Sequence, residues 1–486
     1  MSFEDERRSE PRSALSPALR NGWTTFAIIA IGVLMATIDS SIVNVALPVI
    51  ARYFGAALGG AVEWVIIAYL VVVAALLLTA GRLADVVGRR RAWVWGLVLF
   101  TLGSALCGAS PSLPALVGFR AVQGIGGALI MAVSPAMIVG AFPPERRGRV
   151  LGYNAVVVGL GISLGPTLGG MIAEHFGWRW IFYVNVPLGA LGVLASLAML
   201  RSERTAVGGR LDVAGAVLLA VGIGAMTGTI SFGGELRSPF LPPFAGSVAA
   251  VLALVGFWYR QLKRPDPIVD PKLFRNRVFV SASASLLLGS VATFAVAFVL
   301  PFYFEQLRGW PVERTGILLT PLPLTVALLS PLTGALADRV GTRQLAAGGM
   351  LIAAGGLLWL ALADVETPVL RIVMALVIVG GGRAIFQPPN NSALMGSAPR
   401  DRQGVAAGLM ATSRVLGQSL SVALAGVLFT TFGGSGAARA LRGGQHVATP
   451  FVADAFLRGM RAALLGCALM ALAASLVALV RGREAR

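Results

Sequence analysis

The sequence has little charge, almost no cysteine and almost no histidine. Charged residues make up 13% of 486 positions, about half the share a water-soluble chain carries, which excludes an ordinary set of soluble domains. The two cysteines, Cys107 and Cys467, both fall in apolar runs, so no disulfide framework exists. The two histidines, His175 and His446, have no second His or Cys at ligand spacing, and no GxxxxGK(S/T) phosphate loop occurs. Metal chemistry, ATP hydrolysis of the usual kind and any bound cofactor are therefore not expected, and neither is enzymatic activity. Acids are scarce as well, 22 against 40 Lys and Arg, leaving a net charge of +18.

What is present is 56% hydrophobic residues, a mean hydropathy of +0.79 and 60 glycines scattered through apolar runs. Glycine used this way suits close packing of membrane helices. A membrane helix needs about 20 apolar residues. The runs near 23 to 50, 62 to 80, 93 to 109, 113 to 141, 150 to 172, 179 to 200, 212 to 232, 241 to 259, 279 to 304, 313 to 336, 345 to 362, 369 to 396, 404 to 430 and 456 to 480 meet that length. The first is too long for a signal-peptide core and lacks a small-residue cleavage site, so it reads as a retained helix.

The placement of positive charge tests this reading, because loops on the cytoplasmic side hold the excess of Lys and Arg. With the N-terminus inside, twenty-seven of the 40 basic residues fall on the inner side and only Arg120, Arg383 and Arg414 lie within spans. A missed span would scramble the alternation. The charge is thus a topology signal, and nucleic-acid binding is not expected.

An internal repeat sets the architecture. Gly81-Arg82-Leu83-Ala84-Asp85-Val86-Val87-Gly88-Arg89-Arg90 matches Gly334-Ala335-Leu336-Ala337-Asp338-Arg339-Val340-Gly341-Thr342-Arg343 at seven of ten positions. At nearly the same spacing, Gly148, Gly152, Gly161, Ser163 and Gly170 meet Gly404, Gly408, Gly417, Ser419 and Gly426. Spans one to six then correspond to spans nine to fourteen, with seven and eight inserted. Even numbers of spans make the halves parallel, an arrangement secondary transporters use, with substrate bound between the halves.

At this point the chain resembles the major facilitator superfamily, in its fourteen-helix drug:proton antiporter family, over nearly its whole length. Beside the two repeated loops, Leu34 to Pro48 is similar to that family's first-helix signature, and Arg120-Ala121-Val122-Gln123-Gly124-Ile125-Gly126-Gly127 to its fourth-helix motif. Gly161 with Gly165, Pro166, Gly169 and Gly170 resembles the fifth-helix antiporter motif, and Trp178 to Pro187 completes the pattern. The resemblance implies an all-α membrane protein of the major facilitator fold, with 14 transmembrane helices arranged as two six-helix bundles plus an inserted helix pair. It also implies proton-coupled export of amphipathic drugs or antibiotics by alternating access, powered by the proton motive force.

Asp39 is the only carboxylate deep in a span, where a charge costs at least about 2.5 to 3.5 kcal/mol, which makes it a functional candidate. Counting helical rise from the span ends puts Asp39 roughly 24 Å and Arg120 roughly 14 Å deep from opposite sides, so their depths overlap. Two readings follow. Asp39 is a proton carrier whose occupancy is set by burial against the nearby guanidinium, or the two form a purely structural pair; the resemblance favours the first.

Glu305 is the second acid considered for coupling, and it and Glu63 are expected at wet outer span ends. The aromatic run Phe298, Phe302, Tyr303 and Phe304 beside Glu305 reads either as a surface for an amphipathic cation or as an interfacial belt. Asn44, Glu63, Tyr69, Phe298, Arg383, Gln387, Asn391 and Arg414 are the candidate cavity residues, although Gln387, Asn390 and Asn391 beside Arg383 read either as a polar cavity wall or as helix-to-helix hydrogen bonding. Arg383 interrupts a run that the resembled family keeps small, and an in-cavity arginine disfavours cationic substrates. Gly81, Asp85, Gly88, Arg89, Arg90 and Asp338 read either as solvated turns or as a conformational gate, and repetition in both halves favours the gate. Gly161, Gly165, Pro166, Gly169 and Gly170 supply a kink and close contact.

The expected organisation is a cytoplasmic tail (1–22), an N-terminal six-helix bundle (23–200), an inserted two-helix segment with linkers (201–277) and a C-terminal six-helix bundle (278–486). A multi-pass protein of a bacterial plasma membrane with both termini cytoplasmic, working as a monomer on protons and small amphipathic molecules in the bilayer, is expected. The alternatives are a dedicated exporter of one metabolite, lipid or self-made antibiotic, and a non-transport receptor or scaffold, which would leave the intramembrane charges dispensable.

Overall fold

The structure, a computed structural model, describes residues 17–56, 60–200, 212–232, 243–264, 267, 269–399, 403–434 and 450–481. Among these residues there is no strand, and fourteen helices are long and apolar enough to cross a membrane. In chain order they are α1 (Pro17–Tyr53), α2 (Trp64–Val87), α3 (Arg89–Gly108), α4 (Leu113–Ala141), α5 (Pro144–His175) and α6 (Asn185–Met199, entered through the turn Trp180–Tyr183). The inserted pair is α7 (Val213–Phe232) and α8 (Pro243–Lys263). Then come α9 (Arg277–Phe302, continued by a wider turn at Tyr303–Leu307), α10 (two segments, Val312–Leu319 and Pro321–Val340), α11 (Thr342–Ala361), α12 (Val369–Gly396), α13 (Gln403–Phe429) and α14 (Pro450–Val480).

Ordinary capping chemistry sets several helix starts. Ser112 accepts from the Ala115 amide ahead of Pro114 in α4, and Asn276 accepts from the Val278 and Phe279 amides at the start of α9. The helices carry apolar side chains all round, so large ones remain on the outside, Leu328 at 65% and Leu332 at 67% exposure among them. In water such a surface is a liability; facing lipid it is the favoured solvent contact.

The repeat seen in the sequence recurs as packing. In the first half α3 lies on α4, α2 on α4, α1 on α5, and α6 on both α1 and α3. Eight helices further on, α11 lies on α12, α10 on α12, α9 on α13, and α14 on both α9 and α11. Matched glycines allow close approaches: a Cβ on Gly126 would overlap the Phe100 amide of α3, and one on Gly382 would overlap the Ala353 amide of α11.

Gly88 and Gly341 are the other matched pair. Each is the single residue between two helices, with φ of 97° and 94°, and each donates its amide back to the preceding helix, to the carbonyls of Ala84 and Ala337. A side chain at that backbone conformation costs about 1 to 3 kcal/mol. Gly88→Ala should therefore lower the melting temperature in detergent, whereas Gly81→Ala, in mid-helix with nothing within 4 Å of an added Cβ, should leave it unchanged or slightly raised.

The inserted pair is held at its base by Asp212. Its carboxylate takes Arg260 at 2.6 Å and Arg264 at 2.7 Å, caps α7 through the Gly215 amide and accepts from Gln261. Burial pushes this carboxyl up, but the Arg260, Gly215 and Gln261 hydrogen bonds and the Arg264 charge outweigh burial and hold it below the usual range. Packed on α8, α7 also lies against both α2 and α13, so the insert covers the line where the two halves meet.

Candidate functional site

A polar cluster is sealed inside the first half. Asp39 on α1 is 0% and Arg120 on α4 1% exposed, and Arg120 Nη1 meets Asp39 Oδ2 at 2.7 Å. The other carboxylate oxygen accepts from Gln123 Nε2 and from Asn185 Nδ2, both at 2.9 Å. Arg120 also donates through Nε to the Val65 carbonyl (2.8 Å) and through Nη1 to Gln123 Oε1 (2.5 Å), and its guanidinium lies over the Tyr69 ring at 4.4 Å. Ser104 closes the cluster by accepting from Gln123 at 2.7 Å. Four helices and the α2 backbone thus converge on one buried carboxylate. These bonds stabilise the charged pair, since a buried charge is tolerated only when it is paired and hydrogen-bonded.

α1 links this cluster to the boundary between the halves. Thr37 and Ser41 lie to either side of Asp39, one helical turn apart. A Cβ on Gly161 of α5 would overlap the Thr37 hydroxyl, and one on Gly165 would overlap that of Ser41, while Gly169 sits against Ile42. These three glycines, four residues apart, form a groove on one face of α5 that receives α1. The opposite face of α5 reaches the second half. Gly170 lies against the Val312 carbonyl of α10 (an added Cβ would be 2.6 Å away), Gly316 of α10 lies against the Pro166 carbonyl, and the Thr167 and Thr320 hydroxyls bond at 2.7 Å. Glu174 accepts from the Val312 amide at 3.0 Å. The motif in α5 therefore makes two interfaces, one within its half and one across the molecule.

This seam lies at the far end of the bundle, opposite the N-terminus, and it corrects the expectation of wet acids there. Glu63 is 0% and Glu305 5% exposed. Glu305 meets Arg52 of the other half at 3.4 Å, and Glu63 lies against Gly426 of α13. The aromatic run is core: Phe298, Phe302, Tyr303 and Phe304 are 0% exposed, Phe304 stacks on Trp310 at 5.2 Å, and the Tyr303 hydroxyl donates to the Asp364 carbonyl. Phe298 and Tyr69 accordingly face packed protein and not a cavity. Helix ends that would be wet in an isolated bundle are dry because the halves close on each other. Arg52→Gln should loosen that closure, raising reactivity of a cysteine placed at Thr320 toward a membrane-impermeant maleimide by a few-fold, the scale of a part-exposed ion pair of up to about 1 kcal/mol.

The second half has the opposite electrostatics. Arg383 of α12 and Arg414 of α13 line one narrow cavity with Leu286, Gly289, Ser290, Thr293, Phe386 and Gln387, with room for about one water. Arg383 donates to Gln387 Oε1 at 3.4 Å, and no carboxylate among the described residues pairs with either arginine. Asn391 is half-buried and Asn44 buried, each with an unbonded Oδ1. Asn390 instead bridges helices, donating to the Ala282 carbonyl and accepting from Ser285 and Arg481. At the gate motif Arg89 and Arg90 donate to the carbonyls of Ala136 and Leu197, near the last turns of α4 and α6. The side chains of Asp85 and Asp338 lie outside the described residues.

The family model of the Major Facilitator Superfamily matches residues 29–422. The chain belongs to the major facilitator superfamily. Among curated members it is 32% identical over 415 residues to the riboflavin transporter RibZ of Clostridioides difficile (strain 630), covering 85% of this chain and 89% of RibZ. It is 31% identical over 403 residues to the multidrug resistance protein Stp of Mycobacterium tuberculosis, covering 83% of this chain and 75% of Stp. The crystal structure of a bacterial homologue of the human lysosomal transporter Spinster, inward-facing and unoccupied, shares the superfamily fold, with a TM-score of 0.69 at 16% identity over 96% of this chain and 98% of that one. The protein is thus a multi-pass membrane transporter and not an enzyme.

Sequence reasoning did not find the roles of Gln123, Asn185, Ser104, Gly316, Glu174 and Arg52. Gln123 and Asn185 lie inside quoted motifs, so the signal was present without a role attached. Gly316 has no marked spacing and is seen only once α5 and α10 are in contact.

Proposed function

We propose that this transporter exports amphipathic drugs or antibiotics in exchange for protons, by alternating access across a bacterial plasma membrane with both termini cytoplasmic. No cofactor takes part; the proton motive force supplies the energy. The observation that carries this reading is the position of Asp39, whose helix holds a buried carboxylate cluster on one side and, two residues either way, hydroxyls seated in the glycine groove of α5.

When the far end opens, water reaches Asp39 and a proton from outside binds its carboxylate. The neutral acid no longer holds the guanidinium of Arg120, which keeps the Val65 carbonyl and Gln123 as acceptors. α1 is then free to shift, and α5 with it, so that the α5–α10 seam responds to protonation. Glu305, paired across the halves with Arg52, is the second acid that opening would expose. The two halves rocking about α1, α5 and α10 provide access to alternate sides.

In proteoliposomes an imposed proton gradient should drive substrate against its concentration gradient, and substrate addition should move protons in the opposite direction. A gradient with no effect on transport would overturn the antiport reading. A second reading, export of one particular metabolite, is favoured by the unpaired arginines of the second half and by a relative named for a single compound, riboflavin.

A further inference from the structure

The two halves treat their intramembrane arginines differently. Arg120 is neutralised by Asp39 and also donates to the Val65 carbonyl and Gln123. Arg383 and Arg414 share a cavity, and among the described residues neither pairs with a carboxylate and one bond to Gln387 at 3.4 Å is the only hydrogen bond of the two side chains. Two like charges facing one space in a low-dielectric interior repel, and an arrangement of that kind persists when something of opposite charge completes it. Both residues are half-buried.

From this geometry we infer that the transported molecule carries an acidic group, a carboxylate or similarly planar oxyanion, which seats between Arg383 and Arg414 with its apolar body against Phe386 and Leu286. The inference deepens the transport reading and rests on it. A guanidinium offers a planar fork of donors that matches a carboxylate edge, and two of them on neighbouring helices can hold both oxygens. Gln387 already turns its carbonyl oxygen toward Arg383 Nε, which leaves the terminal nitrogens of that fork for the ligand. Gly289 keeps the apolar wall open, since an added Cβ there would come within 2.9 Å of the Phe386 ring. The cavity is contracted in this conformation, so binding accompanies its widening as the halves rock.

The test uses two xanthene dyes of one skeleton and opposite charge, anionic fluorescein and cationic rhodamine 6G, binding to the full-length protein in detergent at neutral pH, read by anisotropy. Fluorescein should bind at least about tenfold more tightly than rhodamine 6G, and Arg383→Gln or Arg414→Gln should each weaken it by at least about tenfold while leaving rhodamine binding equal or stronger. Arg383→Lys and Arg414→Lys keep the charge but lose the fork, so they should fall between wild type and the glutamine variants, and they serve as the measured pair if a glutamine variant does not run as a single species in gel filtration. Tighter binding of rhodamine 6G, failure to bind fluorescein, or fluorescein affinity indifferent to all four variants would overturn the inference. No proton gradient is present in this measurement, so it fails independently of the antiport reading, which stands or falls on the gradient experiment.

Discussion

Asp39→Asn is expected to reduce substrate-driven proton movement in energised vesicles to background, because the amide keeps the shape of the carboxyl but cannot exchange a proton. The same change leaves Arg120 without its counter-ion at 1% exposure, and removing one partner of a buried pair costs about 3 to 5 kcal/mol. A loss of coupling could then be read as a loss of fold. The double variant Asp39→Asn with Arg120→Gln separates the two. Removing both charges leaves no unpaired guanidinium in the interior, so thermal stability should recover most of what the single variant lost, while coupling stays at background. Proton movement preserved in either variant would take the coupling role away from Asp39 and leave the cluster as a structural pair.

The second large effect is expected at Gly316. A valine there would drive its Cβ into the Pro166 carbonyl, so α5 and α10 could not keep the separation that closes the far end. Overpacking of this kind costs about 1 to 3 kcal/mol. At about 1.4 kcal/mol per factor of ten, the closed population should fall about 5- to 150-fold relative to the open one. Gly316→Val should therefore abolish net transport and sharply raise maleimide labelling of a Thr320→Cys reporter from the far side. The chain's own Cys107 and Cys467 are buried and should give little background. Gly355→Val is the control, since an added Cβ at Gly355 meets nothing within 4 Å. Labelling unchanged by Gly316→Val would mean that this seam does not govern access.

These predictions draw on features of unequal legibility. The spans could be read because burial in lipid is decided residue by residue, and the break between α2 and α3 because Gly88 and Gly341 repeat in sequence and share one backbone requirement. The Asp39 and Arg120 pair could be anticipated from depth alone, since helical rise converts sequence position into height in the membrane. Gln123 and Asn185 were visible as motif letters, but their convergence on Asp39 Oδ1 depends on how α4 and α6 rotate about their axes. Glu63 and Glu305 depart from expectation for one reason: a helix end is wet by default, and only the approach of the other half makes it dry.

The sequence by itself determined that the chain crosses a membrane, how many times, and that one six-helix pattern is used twice, because hydropathy, loop charge and repeated letters are properties that accumulate along a chain. Tertiary structure alone decided which intramembrane charges are satisfied. Arg120 is neutralised while Arg383 and Arg414 are not, and Arg52 holds Glu305 across the two halves. Ion pairing falls off within a few ångströms, and residues hundreds of positions apart come that close only through the packing of whole helices.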